Sequence, residues 1–198
     1  MCKHFRQDSQ ATGRRQSGFT LVEAMVVIAI IAILAGIAVP SFRDLIERQQ
    51  VVVVADELQS ALELAKTSAI QKNGNVMISK LTDTEAGTSG VCSNANEWSC
   101  GWRVFFDANA DGVFTTPGDT LMLEFLVTSG VSVNMSVIVD NNPVASTSLV
   151  ANRWGQLAGN SQFHLFTTRV GNASPAANRV CISTTGRTRV VRNGATCP

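Results

Sequence analysis

The sequence has few of the residues from which catalytic and metal sites are usually built. Its 198 residues include two histidines, His4 and His164, and no C-x-x-C pair, nucleophile motif or phosphate-binding loop. Zinc coordination therefore lacks a donor set. His164 is predicted to be a half-buried strand residue rather than a general base. We predict a protein that is not an enzyme and that needs no cofactor.

Acidic residues are missing from the C-terminal region, since none follows Asp140. Residues 141–198 contain six arginines, a charge of +6, whereas residues 81–140 contain eight acids against Arg103, a charge of −7. An uneven charge distribution of this kind is informative about the surface of a protein and its binding partners, not about its fold. We expect the two regions to face different surroundings.

One long apolar run is present near the N-terminus. Residues 19–39 read FTLVEAMVVIAIIAILAGIAV and follow a polar, basic segment, residues 1–18. At about 1.5 Å per residue the run forms a helix of about 31 Å, the thickness of a bilayer core. Because the basic segment precedes it, the positive-inside rule keeps that segment in the cytoplasm and sends the rest of the chain out.

Glu23 is the one charged residue of this run. A lone carboxylate among apolar side chains in a membrane is costly, unless it lies near enough to the surface to snorkel. The alternative is a partner on another molecule. A free α-amino group would be such a partner if the chain were cut before Phe19.

The segment GFTLVEAMVVIAIIAILAGIAVPSF resembles the class III signal of type IV pilins and pseudopilins. The resemblance implies that a prepilin peptidase removes residues 1–18 by cleavage after Gly18 and methylates the new N-terminus at Phe19. It also implies that Glu23 pairs with the terminal amine of a neighbouring subunit during assembly, and that Pro40 ends the first half of the helix. Two charges buried together are tolerated where one alone is not.

An amphipathic segment continues the apolar run, because its apolar residues recur at helical spacing up to an Asn-Gly stop signal. We predict one helix from Phe19 to about Lys72, with residues 19–39 in the inner membrane as a single pass and residues 40–73 covering a sheet. Residues 74–198 are predicted to form an extracytoplasmic, β-rich domain of one or two antiparallel sheets packed on the helix. The fold class is therefore α+β.

The strands are predicted from short β-prone runs separated by Gly, Asn, Asp, Ser and Pro. These runs are NVMISKL, WRVFF, LMLEFLV, VSVNMSVIV, QFHLFTT, RVCIST and RTRVVR. Residues 82–101 are predicted to be a loop. If Cys2 belongs to a removed leader, the other cysteines leave two short-range disulfides, Cys92–Cys100 and Cys181–Cys197; the alternative is free thiols.

Three segments of the body carry a narrower resemblance: LQSALELAKTSAIQKNGNVMIS, GWRVFFDANADG and RVCISTTGRTRV. They are similar to the GspH/FimT family, which contains minor pilins of type IV pili and a minor pseudopilin of type II secretion. The resemblance implies a pilin-like fold and assembly with other pilins or pseudopilins in a filament. It also implies a C-terminal domain displayed in the periplasm and then on a pilus or pseudopilus.

The GRTR stretch is the candidate binding motif. If its flanking strands are joined through Thr185-Gly186, alternation puts Arg187 and Arg189 on one face, about 7 Å apart, close to phosphate spacing along a nucleic-acid strand. In FimT proteins of naturally transformable bacteria a G-R-x-R motif at this place is linked to DNA binding for uptake, so the resemblance implies contact with extracellular DNA. The same alternation puts Arg192 on the other face, with Thr188 and Val190. Three more arginines are candidates for widening the patch: Arg192, Arg179 and Arg169.

A second interpretation of these arginines stays open. In this interpretation the arginines pair with acidic residues in the middle region of the next subunit. The chain is then a structural minor pilin (FimU-like) or a type II secretion pseudopilin with no DNA role. Trp98, Trp102 and Trp154 are predicted to be core or loop anchors, although Trp154 beside Arg153 is a candidate for stacking on a base.

The stretch DANADG carries oxygen ligands at alternate positions, Asp107, Asn109 and Asp111, followed by Gly, as in a calcium loop. The twelfth position, which should hold an acid, is Gly118, and Asp119 comes one residue late. Asp, Asn and Gly are also the usual turn residues between strands. We therefore predict a hairpin turn without a metal and keep calcium as the alternative.

Overall fold

The computed structural model describes residues 19–127, 130–139, 142–157, 160–167, 176–183, 185–192 and 195–197. For residues 37–41, 44, 160 and 167 it describes the backbone alone. The chain divides into two units, Met1–Phe42 and Arg43–Pro198.

The first element is a long helix, α1, which spans Leu21–Lys72. The hydroxyl of Thr20 accepts a hydrogen bond from the Glu23 amide at 3.2 Å, which satisfies one of the free amides at the helix start. Asn73 follows the helix with a φ of 49°, a left-handed conformation that asparagine tolerates. The predicted single helix is confirmed to within two residues at its start.

In the first unit, the large apolar side chains of α1 are exposed. Phe19 is 87% exposed and Ile33 is 67% exposed. Within the part of the chain that the structure describes, no helix combines the length and the apolarity needed to cross a membrane. The membrane span over residues 19–39 stays a prediction.

In the second unit, two antiparallel sheets follow α1. The first has the order β3-β2-β1-β6, with β1 at Val76–Lys80, β2 at Gly101–Phe106, β3 at Thr120–Leu126 and β6 at Ser148–Ala151. The second has the order β5-β4-β7-β8-β9, with β4 at Val131–Val139, β5 at Asn142–Ala145, β7 at Asn160–Thr167, β8 at Asn178–Ile182 and β9 at Thr188–Val191. The predicted α+β fold is confirmed.

One hydrophobic core joins α1 to both sheets. The predicted apolar stripe began at Leu45 and Ile46, which are exposed. Its other members are buried in the core: Val51, Val54, Ala55, Leu58, Ala61, Leu62, Ala65 and Ala69. Trp98 meets Phe163 edge to face at 5.0 Å, and its indole donates to the Ser146 carbonyl at 2.9 Å. A buried indole needs such a partner, so Trp98 fixes the loop before β2 against the second sheet.

Three elements of the structure were not predicted from the sequence: two short strands, β5 and β6, and one short helix. Strands β5 and β6 were not predicted, because each has four residues and β5 contains Pro143. The predicted loop over residues 82–101 contains a short helix, α2, at Asp83–Ala86, started by a Thr82–Glu85 capping box. The Cys92–Cys100 disulfide closes this segment, and Cys181–Cys197 is also present, so both predicted disulfides are confirmed.

Candidate functional site

The GRTR stretch lies on the hairpin between β8 and β9. Its turn is closed by hydrogen bonds from the Gly186 amide to the Ser183 carbonyl, at 2.8 Å, and from the Ser183 amide to the Arg187 carbonyl, at 3.0 Å. Gly186 has a φ of 78°, and a Cβ there would lie 2.8 Å from the Leu157 amide nitrogen and 3.2 Å from the Gln156 Cα. A side chain at Gly186 is therefore excluded by both conformation and space.

Alternation along β9 divides its residues between two faces. Thr188 points toward α1, where its hydroxyl donates to the Glu63 carboxylate at 2.7 Å, and Val190 packs against the core. Arg187 and Arg189 are exposed. Successive side chains on a strand alternate faces, so Arg189 projects away from α1, and Arg187 lies exposed directly before the strand.

The contact between Thr188 and Glu63 anchors this strand electrostatically. The Thr188 hydroxyl is the main cause of a lowered pKa at the Glu63 carboxyl, while partial burial opposes the shift. Lys66, whose ammonium lies 3.1 Å from the same carboxylate, lowers that pKa further. Glu63 is therefore a charged acceptor that holds β9 on the helix. No sequence signal pairs residues 125 positions apart.

The arginine face is bordered by a disulfide and a cavity. Arg189 lies opposite Cys181 in the register of β8 and β9, and Cys181 is bonded to Cys197. A cavity of about 570 Å³ opens here, lined by Cys181, Ile182, Ser183, Arg187, Thr188, Arg189 and Cys197. Among the described residues no ion pair engages Arg187 or Arg189, so their charge is open to an anion.

The other three predicted arginines differ in position. Arg192 is exposed just after β9. Arg179, on β8, is partly buried, and its guanidinium donates to the Gln162 amide oxygen at 3.4 Å. Burial, and then the charge of Arg179, lower the pKa of His164 across the strand pair. Arg169 lies outside the described residues. Of the five predicted arginines, Arg187, Arg189 and Arg192 are therefore the ones that the structure shows to be exposed.

A second loop packs against the Gly186 turn. The backbone of Gln156 and Leu157 meets the turn, and the same loop carries Trp154, which is 71% exposed. The Arg153 guanidinium lies 5.3 Å from the indole ring of Trp154, a cation–π distance. The sequence indicated this pair as a stacking candidate, but not that its loop contacts the arginine turn.

The N-terminal assembly residues have simpler surroundings. Phe19 and Glu23 are exposed at the start of α1, and Glu23 stands in its first turn. In that position a carboxylate also interacts favourably with the positive end of the helix dipole. Pro40 lies within α1, with only its backbone described, and Gly18 lies outside the described residues.

The predicted hairpin over DANADG connects β2 and β3. It brings together the carboxylates of Asp107, Asp111 and Asp119. Asn109 is engaged with Asp111: its side-chain amide donates to the Asp111 carboxylate at 2.7 Å, and its side-chain oxygen accepts from the Asp111 backbone amide at 3.2 Å. The pKa of Asp119 is lowered, first by the Thr115 amide that donates to its carboxylate and then, against the opposing effect of burial, by the Ala108 amide.

Comparison with known proteins agrees with this architecture. The prokaryotic N-terminal methylation motif matches residues 13–39, and the family model for type II transport protein GspH matches residues 54–186. A fimbrial protein of Pseudomonas aeruginosa is 46% identical over 66 residues, which are 33% of this chain and 42% of that protein. The chain thus spans less than half the length of this relative.

Two solved structures share the fold. The type IV minor pilin FimU of Pseudomonas aeruginosa is similar with a TM-score of 0.50 at 17% identity, over 75% of this chain and 93% of FimU. The minor pseudopilin EpsH of the type II secretion system of Vibrio cholerae is similar with a TM-score of 0.51 at 11% identity, over 76% of this chain and 99% of EpsH.

A long N-terminal helix followed by antiparallel sheets, with a methylation motif at its start, defines the class of type IV pilin-like proteins. Within that class the chain belongs to the GspH family, whose model covers about two thirds of it. It shares its fold with a minor pilin of a type IV pilus and with a minor pseudopilin of a type II secretion system.

Proposed function

We propose that this chain is a low-copy subunit of a type IV pilus that binds extracellular DNA through Arg187 and Arg189. One observation carries the DNA role: both arginines are exposed and have no acidic partner among the described residues, on either side of Thr188, which is bonded to α1. The role is structural and adhesive rather than catalytic.

The N-terminal segment anchors the subunit. A prepilin peptidase removes residues 1–18 and methylates Phe19, and the apolar start of α1 is inserted in the inner membrane and then in the filament core. The match to the methylation motif and the exposed apolar side chains of α1 support this step. Within the filament Glu23 pairs with the terminal amine of a neighbouring subunit, because a lone carboxylate there is costly.

The hairpin then contacts phosphates. Two guanidiniums about 7 Å apart along a strand suit successive phosphates, and each guanidinium can bond one phosphate with two parallel hydrogen bonds. Trp154 offers an exposed ring to an unstacked base. Phosphate contacts carry no sequence information, so binding is independent of sequence and serves uptake of arriving DNA, as in natural transformation.

The DNA role is tested by fluorescence anisotropy of labelled DNA with the full chain in neutral detergent. The double variant Arg187→Ala/Arg189→Ala is expected to bind about tenfold more weakly at about 50 mM salt, because two phosphate contacts are lost. The variant Arg43→Ala/Arg48→Ala removes the same charge from α1 and is expected to bind like the wild type. Equal affinity of all three proteins rules out the DNA role.

The filament role is tested on protein recovered from sheared filaments of the native host. Its intact mass is expected to lack residues 1–18 and to include one added methyl group. Glu23→Ala is expected to leave the protein in the membrane and absent from the filaments. An uncleaved chain, or normal incorporation of the Glu23→Ala variant, contradicts this part of the proposal.

The second candidate function is that of a structural minor pilin (FimU-like) or of a type II secretion pseudopilin. The charge division favours it, because the exposed arginines of one subunit can meet the acidic region of the next. In that case the Arg187→Ala/Arg189→Ala variant retains its DNA affinity but is lost from the filaments.

A further inference from the structure

The loop between β2 and β3 gathers three carboxylates at one point. One carboxylate oxygen from each of Asp107, Asp111 and Asp119 lies within 4.8 Å of the other two. Carboxylate oxygens gathered this closely can bind one cation together. A set of several protein carboxylates is typical of Ca²⁺, whereas Mg²⁺ usually keeps several of its waters and is bound by one or two carboxylates.

Asp107 supplies an independent indication of a ligand. The residue is 6% exposed. One oxygen, Oδ2, accepts a hydrogen bond from the Gly112 amide at 3.0 Å, while Oδ1 is buried and has no hydrogen-bond partner. A buried carboxylate oxygen without a partner is costly, and a cation at the cluster would provide that partner.

No basic residue neutralises the cluster within the described part of the chain. Two basic residues contact rings near the cluster: the Lys72 ammonium lies 5.1 Å from the centre of the Phe106 ring, and the Arg103 guanidinium lies 4.9 Å from that of Phe114. Arg103 instead pairs with Glu85 at 2.7 Å and with Glu124 at 3.6 Å. The three aspartates thus gather negative charge without a counter-ion from the protein.

The fold also removes the spacing objection raised by the sequence. Asp119 comes one residue late for a calcium loop of regular length, but the loop folds back on itself. The Oδ2 atom of Asp119 accepts hydrogen bonds from the Thr115 amide, at 2.8 Å, and the Thr115 hydroxyl, at 3.3 Å. Its Oδ1 atom accepts one bond, from the Ala108 amide at 3.0 Å. Each carboxylate oxygen has two lone pairs, so these bonds orient Asp119 and leave Oδ1 able to bind a metal.

We propose that Asp107, Asp111 and Asp119 bind a calcium ion that locks the β2–β3 loop. The ligand set contains only oxygen, as hard cations prefer. Asn109 orients Asp111 through its amide and takes no ligand position. In a regular calcium loop the third and the twelfth positions supply ligands. In this site Asn109 occupies the third position without binding the ion, and Asp119 takes the place of the closing acid.

The site is tested by calorimetric titration of CaCl₂ into the full chain in neutral detergent, after treatment with a chelator. We expect a dissociation constant on the order of 10⁻⁴ to 10⁻³ M, as in extracellular calcium modules, and a melting temperature that rises with calcium concentration. Asp111→Asn and Asp119→Asn are expected to bind at least about tenfold more weakly. Asp56→Asn, at an exposed position on α1, is the matched control and is expected to bind like the wild type.

Asp111 is exposed, so its variant tests the site even if a change at Asp107 prevents folding. The proposal is overturned by the absence of binding heat and of a melting shift in the wild type. It is equally overturned if Asp111→Asn and Asp119→Asn respond to calcium as Asp56→Asn does, or if Mg²⁺ gives the same response as Ca²⁺ in every protein.

Discussion

At the scale of single residues, the conformation and surroundings of Gly186 explain why the GRTR stretch begins with a glycine. Its φ of 78° belongs to the left-handed region, and the backbone of Gln156 and Leu157 fills the space where a Cβ would stand. The glycine thus allows the hairpin to press against the loop that carries Trp154. It positions the arginines without contacting any ligand.

Substituting this glycine therefore has two separable costs. Gly186→Ala adds the left-handed penalty of about 1–2 kcal/mol and the clash at 2.8 Å with the Leu157 amide nitrogen. Gly87→Ala, at a φ of 68° with open space around the position, adds the first cost alone. We expect urea unfolding to show a clearly larger loss of stability for Gly186→Ala.

Gly186→Ala is also expected to weaken DNA binding, because the turn must shift away from Gln156 and Leu157. Gly87→Ala should leave DNA binding unchanged. Equal stability losses for the two alanine variants would refute the contact between the turn and the loop.

At the scale of elements, β9 is an edge strand held by its partner β8 and by α1. The hydrogen bond from Thr188 to Glu63 joins the strand to the helix, and Val190 adds apolar contact. An edge strand carrying charged residues resists pairing with other chains. The arginines therefore project from a strand that is fixed on its inner face and exposed on its outer face.

This attachment predicts a pH-dependent effect of Thr188→Val. Because the pKa of Glu63 is lowered in the folded state, its contribution to stability is present above the ordinary glutamate value of about 4.3 and is lost as the pH falls through the lowered folded value. Thr188→Val is expected to cost about 1 kcal/mol or less at pH 7, a limit set by the partial exposure of Glu63.

The cost of Thr188→Val should shrink as the pH is lowered from 7 through the lowered pKa of folded Glu63. Urea unfolding over a series of decreasing pH values measures it. Thr67→Val, which removes a hydroxyl that bonds only to the backbone of α1, serves as the control. A cost that does not change with pH would argue against a charged acceptor at Glu63.

Elements with a strong local pattern could be predicted from the sequence. The stripe of α1 and the β-prone runs depend on periodicity, which the chain displays directly. Strands β5 and β6 are short, and Pro143 disfavours a strand locally; tertiary pairing with β4 and β1 forms them. The contacts of Thr188 with Glu63, and of Gly186 with Leu157, join distant positions and leave no local signal.

At the scale of the whole molecule, the acids that pair with Arg103 and the exposed arginines lie near different sheets. Arg103 and the acids Glu85 and Glu124 gather around the first sheet, whereas the exposed arginines belong to the end of the second sheet. The sequence predicted the division from composition alone. It could not predict that Asp119 joins Asp107 and Asp111, because a loop decides that contact.

The central claim is that Arg187 and Arg189 bind phosphates directly, and the salt dependence of DNA affinity tests it most directly. For the full chain with duplex DNA between about 50 and 200 mM salt, the slope of log K against log salt is about −0.9 per phosphate contact. Arg187→Ala/Arg189→Ala is expected to make that slope shallower by about 1.8, while Arg43→Ala/Arg48→Ala keeps the wild-type slope. An unchanged slope in the Arg187→Ala/Arg189→Ala variant would contradict the claim.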